Sequence, residues 1–438
     1  MNKNITSFKS SKILNYLFIL LPISFAVGNF AINLNVFLII ILGIFLFKKD
    51  IIDHKKKVFF YLVLTFFIHL IISTIINNYN NLTDSDLNKS LVFLRYLLFL
   101  LVVNCMVRKK LIDFKLFFIF NLVVISFVSL DVIYQSQTGT NFFGMTTTFY
   151  HNPGIFGDEL IAGGYIQKFW TFSIFSIPLF FFKNKNYILL YILFFLIGAC
   201  GIVFAGNRMP IIMFFIFTPL VIFFLKKLKI ITVLCFLFSI GITYNHYNSD
   251  LWIKMWYNSF FDNVKHITYA FKNEFDKEFR KKSFSQEQLK EKQAKRYVFG
   301  SGHINTFLTG IDVWNDKPII GNGIKSFRKQ CRTKDFVKYN RVCNQHPHNY
   351  YLEILDNTGL IGFIALGTAA IILIYDKIIL FRKVKNNDTN KLIFYAFLMA
   401  LLIEMFPIKS TGSFFATFNA SYIFLIVGLM INLEPKKN

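Results

Sequence analysis

Residues 346–375 read HPHNYYLEILDNTGLIGFIALGTAAIILIY and hold the transition that decides the fold, from a polar loop into a long apolar run. About 20 consecutive apolar residues are enough for a helix to cross the hydrocarbon core of a bilayer. The stretch therefore predicts a histidine, His348, held in water at the mouth of a membrane helix.

The rest of the chain repeats this apolar character. Of its 438 residues, 55% are hydrophobic and 18% aromatic, which is more apolar surface than one soluble core can hide. In lipid, helices and closed barrels satisfy every backbone group, and these runs are too long and unbroken for barrel strands. We predict an all-α polytopic membrane protein with about twelve transmembrane helices. The predicted spans lie near residues 13–29, 31–47, 58–76, 91–107, 116–134, 163–182, 187–205, 210–225, 230–246, 352–375, 392–408 and 414–432.

The net charge of +24 has a topological explanation. Lysine and arginine collect in every second connection between the apolar runs, as in the cytoplasmic loops of membrane proteins, so we expect membrane lipid and not nucleic acid as the partner. Both termini are then cytoplasmic. The predicted organisation is nine spans in residues 1–246, a large periplasmic loop at 247–347 and three spans in 348–438. Within the loop, residues 270–296 predict an exposed, charged helix.

Two cysteines of the large loop stand just before His348. Cys331 and Cys343 flank a short polar segment, and a disulfide there would close a small loop in a compartment that permits one. Two free thiols are the first alternative. A metal site with His346 and His348 is the second, but no four-ligand spacing is clean. We expect no metal and no cofactor.

His348 is the candidate catalytic residue. A neutral imidazole that projects into water beside the membrane can take a proton from a sugar hydroxyl. Asn349 follows it and supports the same site. The alternative is that His348 only caps the helix that begins there.

Two arginines are placed to bind an anion at the outer face. Arg208 lies in AGNRMP between two apolar runs, and Arg95 lies one turn inside the fourth span. A guanidinium group binds phosphate through two parallel hydrogen bonds, so both are candidates for holding a pyrophosphate. For each, the alternative is that the side chain only reaches the lipid headgroups.

Further polar groups face the same side. The segment 301–328 carries His303 and a tryptophan suited to the membrane surface. Asp131 ends the fifth span, and Glu159 precedes the sixth, where it is expected to pair with a base, contact a sugar or stabilise a helix N-terminus.

These features resemble the O-antigen ligase and O-antigen polymerase superfamily of bacterial envelope glycosyltransferases. The resemblance rests on His348 and Asn349 with Gly359 and Gly362, on Arg208, and on three runs of sequence. The runs are DKPIIGNGIKSF (316–327), FGDELIAGGYI (156–166) and FPIKSTGSFF (406–415).

The resemblance implies a GT-C-like fold and a metal-independent, inverting transfer of a glycan from undecaprenyl pyrophosphate, on the periplasmic side of the bacterial inner membrane. His348 would activate the acceptor hydroxyl, and Arg208 would bind the leaving pyrophosphate. Many relatives carry arginine where this chain has His303. A protonated His303 or Arg328 is expected to make the second phosphate contact.

Two functions within this superfamily stay open. A ligase joins the glycan to a lipid A core, whereas a polymerase joins repeat units, and one dominant loop ending in the histidine motif favours the ligase. A polysaccharide-lipid transporter is the alternative from another class. Transporters keep ionisable groups near the bilayer midplane and often show two related halves, and this sequence shows neither.

Overall fold

The computed structural model describes residues 2–52, 56–78, 84–148, 151–259, 302–333, 342–384 and 388–436, and every regular element in them is helical. The first eleven α-helices are α1 (Asn2–Ile19), α2 (Leu21–Val27), α3 (Asn29–Phe47), α4 (Lys57–Asn78), α5 (Asp84–Phe93), α6 (Arg95–Arg108), α7 (Phe114–Thr138), α8 (Ala162–Phe180), α9 (Tyr187–Phe204), α10 (Arg208–Phe224) and α11 (Lys229–Ser249). They are followed by α12 (251–259), α13 (Gly302–Trp314), α14 (Phe327–Thr333), α15 (Tyr350–Arg382), α16 (Thr389–Glu404) and α17 (Thr417–Ile431).

The chain is a polytopic helical membrane protein. Seven helical segments of the described residues are long and apolar enough to cross a bilayer, and α1 with α2, bent by 50°, can form an eighth span. Each remaining predicted span also coincides with a helix. Of these, α10 and α17 are short, with 17 and 15 residues, while α8 and α16 contain Lys168 and Glu404. Twelve membrane crossings therefore remain a prediction.

The predicted periplasmic loop is described only in part. It contributes α12, α13 and α14, and the charged helix expected at 270–296 lies outside the described residues. A disulfide joins Cys331 to Cys343, whose Cα atoms are 5.4 Å apart. Cys331 packs with Val313 and Phe327 in a small core separate from that of the bundle. The bond thus ties the segment before His348 to α14.

Connections predicted on the same side of the membrane lie together. Lys109, after α6, pairs with Asp50, after α3, at 2.6 Å. Asp388, before α16, accepts a hydrogen bond from the Lys436 amide, beyond α17, at 3.0 Å. At the other end of the bundle, Gly28 and Asn207 from two tight turns line one cavity with the loop between α16 and α17. The candidate site lies at this second end.

Helix α15 is broken at Gly359. Its φ of 57° and ψ of −164° are not helical, so the next two amides lose their normal partners. Leu360 N–H donates instead to the Pro318 carbonyl at 2.9 Å, and Ile361 N–H to the Ile319 carbonyl at 3.3 Å. A Cβ at Gly359 would lie 2.2 Å from the Ile319 oxygen. The break is therefore where the run 316–327 packs into the helix.

A buried histidine of α4 holds this junction. The Nε2 of His69 lies 2.9 Å from the Thr358 carbonyl and 3.0 Å from the Ile320 carbonyl. Gly362 is small for a local reason, since a Cβ there would lie 2.4 Å from Thr358 Cβ. Gly359 and Gly362 therefore shape the path of α15 just beyond the candidate site.

Candidate functional site

Asn349 caps helix α15 and leaves the His348 ring for other contacts. Its Oδ1 accepts hydrogen bonds from the amides of Tyr351 and Leu352 at 3.0 and 3.2 Å, as an N-cap side chain does. Its Nδ2 donates to the Pro407 carbonyl at 2.7 Å. The alternative that His348 only caps the helix is wrong, because the capping oxygen belongs to its neighbour.

The backbone of His348 is held in an uncommon conformation. Its φ is 55°, a left-handed value that residues other than glycine adopt when their surroundings enforce it. The His348 carbonyl accepts from the Thr411 amide at 2.8 Å, and the His348 amide donates to His346 Nδ1 at 3.1 Å. The residue is thereby fixed to the loop between α16 and α17.

The same loop determines which ring nitrogen of His348 carries the proton. The Thr411 carbonyl, 3.3 Å from Nδ1, can only accept a hydrogen bond, so this contact assigns the proton to Nδ1. Nε2 is then the acceptor, and Asn344 Nδ2 donates to it at 2.8 Å. The arrangement leaves Nε2 as the basic nitrogen, and its one hydrogen-bond partner is the Asn344 side-chain amide. A hydroxyl group could take the place of this amide.

Three imidazoles form a cluster around this position. The ring centroids of His346 and His303 lie 4.2 and 4.8 Å from that of His348. Burial lowers the pKa of His348 below its ordinary value. Burial, reinforced by the charge on neighbouring histidines, lowers the pKa of His303 to about 4 and that of His346 to about 3. The cluster is therefore uncharged at neutral pH, the form in which an imidazole acts as a base.

Arg208 opens helix α10 and stacks on Trp256 of α12. Its guanidinium carbon lies 3.8 Å from the centroid of the indole ring. Its Nη1 donates to the Trp256 carbonyl at 3.2 Å and to Ser259 Oγ at 2.9 Å. The planar group is thus oriented by a stacking contact and by hydrogen bonds along one edge.

His303 lies close to His348 and is near enough to Arg208 to be affected by its charge. The positive charge of Arg208 is among the causes that lower the pKa of His303, after burial and the charge of His348. His303 Nδ1 is also hydrogen-bonded to Ser410 Oγ at 3.3 Å. Burial works against the protonated form that a phosphate contact would need. His303 as a second phosphate-binding group remains a prediction.

Arg95 and Arg328 belong to a second basic group, around Lys325. Arg95 Nη2 donates to Tyr96 Oη at 2.7 Å and to Thr417 Oγ1 at 3.3 Å. Burial lowers the pKa of Lys325; Glu353 opposes this, and the charges of Arg328, Lys89 and Arg95 add to it. The predicted arginines therefore lie in two places. Arg208 is near His303, whereas Arg95 and Arg328 are near Lys325.

The two predicted carboxylates have different surroundings. Asp131 is fully buried in α7 and accepts from the Phe142 amide at 2.8 Å, so it anchors the loop that follows that helix. Glu159 is exposed and lines the cavity at the end of the bundle. Only Glu159 is placed to meet a molecule that enters the cavity.

This cavity has a volume of about 480 Å³, within the range of about 300–1,000 Å³ that holds small ligands. Asn207, next to Arg208, forms part of its wall. Ser410 and Thr411, the partners of His303 and His348, form another part. The three histidines and Arg208 are not among the lining residues, and these neighbours connect them to the cavity.

From the sequence we predicted no role for three charged residues that line the cavity, Lys168, Glu404 and Lys409. Glu404 forms ion pairs with Lys168 and with Lys409, the latter at 3.0 Å, and accepts from Tyr350 Oη at 2.5 Å. Lys168 and Glu404 sit inside apolar runs, where an ionisable residue is itself a signal of function. Lys409 lies in the run 406–415, one of the three runs that resemble the superfamily. Thr411 lies in the same run, whereas Asn344 carried no signal in the sequence, because its contact with His348 depends on the fold.

Comparison with known proteins gives one match. The family model described as O-Antigen ligase matches residues 193–367, from α9 through the histidine cluster to the first half of α15. No curated protein and no solved structure matches the chain. Among the described residues, no group of three or more His, Cys, Asp or Glu is arranged to hold a metal ion.

Proposed function

We propose, from the premise that this chain belongs to the O-antigen ligase superfamily through residues 193–367, that it joins a lipid-linked glycan to a lipid A core. The donor is a glycan on undecaprenyl pyrophosphate, and the transfer is inverting and metal-independent. The reaction takes place on the periplasmic side of the bacterial inner membrane, with both termini in the cytoplasm.

The observation that carries this proposal is the hydrogen bonding of His348. Because the Thr411 carbonyl holds the proton on Nδ1, the lone pair of Nε2 is available to an acceptor hydroxyl that takes the place of the Asn344 amide. A proton moved to Nε2 gives an imidazolium whose Nδ1–H keeps its bond to Thr411. His348 therefore has the features of a general base.

The proposed step balances without any other reactant. The acceptor oxygen gives its proton to His348 Nε2 and forms a bond to the anomeric carbon of the donor. The bond from that carbon to the pyrophosphate oxygen breaks, and the pyrophosphate leaves with the electron pair. Arg208 stabilises the charge that develops on the leaving group, because its hydrogen-bonding fork matches two phosphate oxygens.

The transport alternative has less support. The buried Glu404 lies at the last residue of α16, and Lys409 lies beyond it in the loop, so these charges belong to one end of the bundle. A transporter is expected to keep such groups near the middle of its helices.

The test is the His348→Ala variant. Without the base, glycan transfer is expected to fall by at least about a hundredfold, while membrane insertion and protein level stay normal. Purified protein would be assayed with a lipid-linked glycan and lipid A core as acceptor. His246→Ala, which removes a histidine that packs on Phe204 of α9, is the control and should retain transfer. Normal capped lipopolysaccharide in cells carrying only His348→Ala would refute the assignment.

A further inference from the structure

The cavity beside His348 contains two buried polar atoms without partners. Gln167 is 1% exposed, and its Oε1 makes no hydrogen bond with the described residues. Thr411 is 8% exposed, and the same is true of its Oγ1. Both residues line the cavity. A buried polar atom is costly unless it is hydrogen-bonded, so an acceptor and a hydroxyl in this position are suited to a ligand rich in hydroxyl groups.

Among the buried residues that line the same cavity, positive charge is in excess. Lys168 and Lys409 are each 7% exposed and share one carboxylate, that of Glu404, which is 1% exposed. Two ammonium groups with one carboxylate leave one positive charge. Glu159 also lines the cavity, but it is exposed, and solvent screens its charge.

The contacts of Lys168 show that it can pair with an anionic group of a ligand. Its Nζ has three hydrogens, and the Glu404 carboxylate takes one. The ammonium group also lies 4.8 Å from the centroid of the Tyr422 ring, a contact that stabilises a cation without using a hydrogen-bond donor. Donors therefore remain for an anionic group of a ligand.

We infer that this cavity is a binding site for a hexuronate, a six-carbon sugar that carries one carboxylate. The carboxylate pairs with Lys168, since its single negative charge matches the single excess positive charge. The ring hydroxyls bond to Gln167 Oε1 and Thr411 Oγ1. The volume of about 480 Å³ lies within the usual range for pockets that bind small molecules.

The location connects this site with the reaction, and this part of the inference rests on the proposed function. Thr411 contributes its backbone carbonyl to His348 and its side chain to the cavity. A sugar bound there lies beside the candidate base. The acidic sugar therefore belongs to one of the two glycans that react.

The experiment measures binding of soluble sugars to the purified full-length protein in lipid nanodiscs, by saturation-transfer NMR. Glucuronate is expected to bind about tenfold more tightly than methyl glucoside, because a charge-assisted hydrogen bond replaces a neutral one. Inorganic phosphate, added to the sample that contains glucuronate, should not displace the sugar. Equal affinity for the two sugars, displacement by phosphate, or no saturable binding of glucuronate would each overturn the inference.

Two variants examine the contacts separately. Lys168→Gln leaves Glu404 paired with Lys409 and should remove the preference for glucuronate while keeping weak binding of methyl glucoside. Thr411→Val should weaken both sugars and keep the preference. Lys377→Gln is the matched control, because Lys377 is also buried but donates to the Leu433 carbonyl at the opposite end of the bundle. An unchanged preference in Lys168→Gln would contradict the role of Lys168.

This test is independent of catalysis. Soluble glucuronate is bound without being transferred, so the binding result stands whether or not the protein is a glycosyltransferase. Loss of transfer in His348→Ala together with no glucuronate binding would sink the hexuronate site alone. Selective glucuronate binding together with no glycan transfer by the wild-type protein would contradict the proposed function and keep the site.

Discussion

At the residue scale, the surroundings of Arg208 explain why an arginine is needed there. Its guanidinium plane lies on Trp256, and Nη1 bonds to the Trp256 carbonyl and to Ser259. A lysine can neither stack in this way nor present two parallel donors to a phosphate. In the proposed reaction the planar fork, and not the charge alone, would bind the phosphate.

Arg208→Lys is therefore expected to lower glycan transfer by about a hundredfold, the usual effect of removing an oriented donor from a developing anion. Transfer would be measured with purified protein and a lipid-linked glycan. Arg382→Lys, at the far end of α15, serves as the control and should be close to wild type. Near-normal transfer by Arg208→Lys would mean that Arg208 only anchors the chain at the membrane surface.

The histidine cluster predicts the pH dependence of the reaction. Burial lowers the pKa of His348 below its ordinary 6.5. A base must be unprotonated, so kcat/KM should decline as the pH falls, with one ionisation and a midpoint below pH 6.5. A midpoint above pH 6.5 would contradict the role of His348 as the base.

At the element scale, the break in α15 positions the site. Gly359 lets the helix admit the run 316–327, and the carbonyls of Pro318 and Ile319 accept the amides of the two residues after it. The first turns of α15, which follow His348, are thereby set against α4 and the run 316–327. A continuous helix would have no opening for this run.

Gly359→Ala is expected to destabilise the protein by about 1–3 kcal/mol or more, because φ is 57° and the new Cβ would clash with the Ile319 carbonyl. A lowered midpoint of thermal unfolding in detergent would be the measurement. Gly367→Ala lies on the same helix with no atom within 4 Å of the new Cβ, so it should be neutral or slightly stabilising. Equal midpoints for the two variants would contradict the role of the break.

At the scale of the whole molecule, the ligase and polymerase hypotheses differ in what cells accumulate. If the chain is the ligase, cells that lack it should contain long glycans still attached to the lipid carrier, because polymerisation continues. If it is the polymerase, single repeat units should accumulate. Mass spectrometry of the extracted lipid-linked glycans distinguishes the two, and single repeats would contradict the ligase proposal.

The helical, membrane-spanning character of the chain followed from its sequence. A backbone in lipid must satisfy its own hydrogen bonds, so a long apolar run specifies a helix almost independently of its neighbours. The connection between the first two predicted spans, at residues 29–31, and the polar link that contains Arg208 could be placed for the same reason. His348 and Arg208 stood out because polar groups beside apolar runs are few.

Only the tertiary structure decided which of these groups meet. Glu404 and Lys168 lie in different helices, and Thr411 reaches His348 across 63 positions of sequence. Such contacts depend on how apolar helix surfaces of nearly equal hydrophobicity pack against one another, and hydropathy carries no information about that choice. The sequence by itself therefore determined where helices form and which residues can react. The packing decided that the Thr411 carbonyl contacts Nδ1 of His348, that α15 breaks at Gly359, and that two lysines share one buried carboxylate.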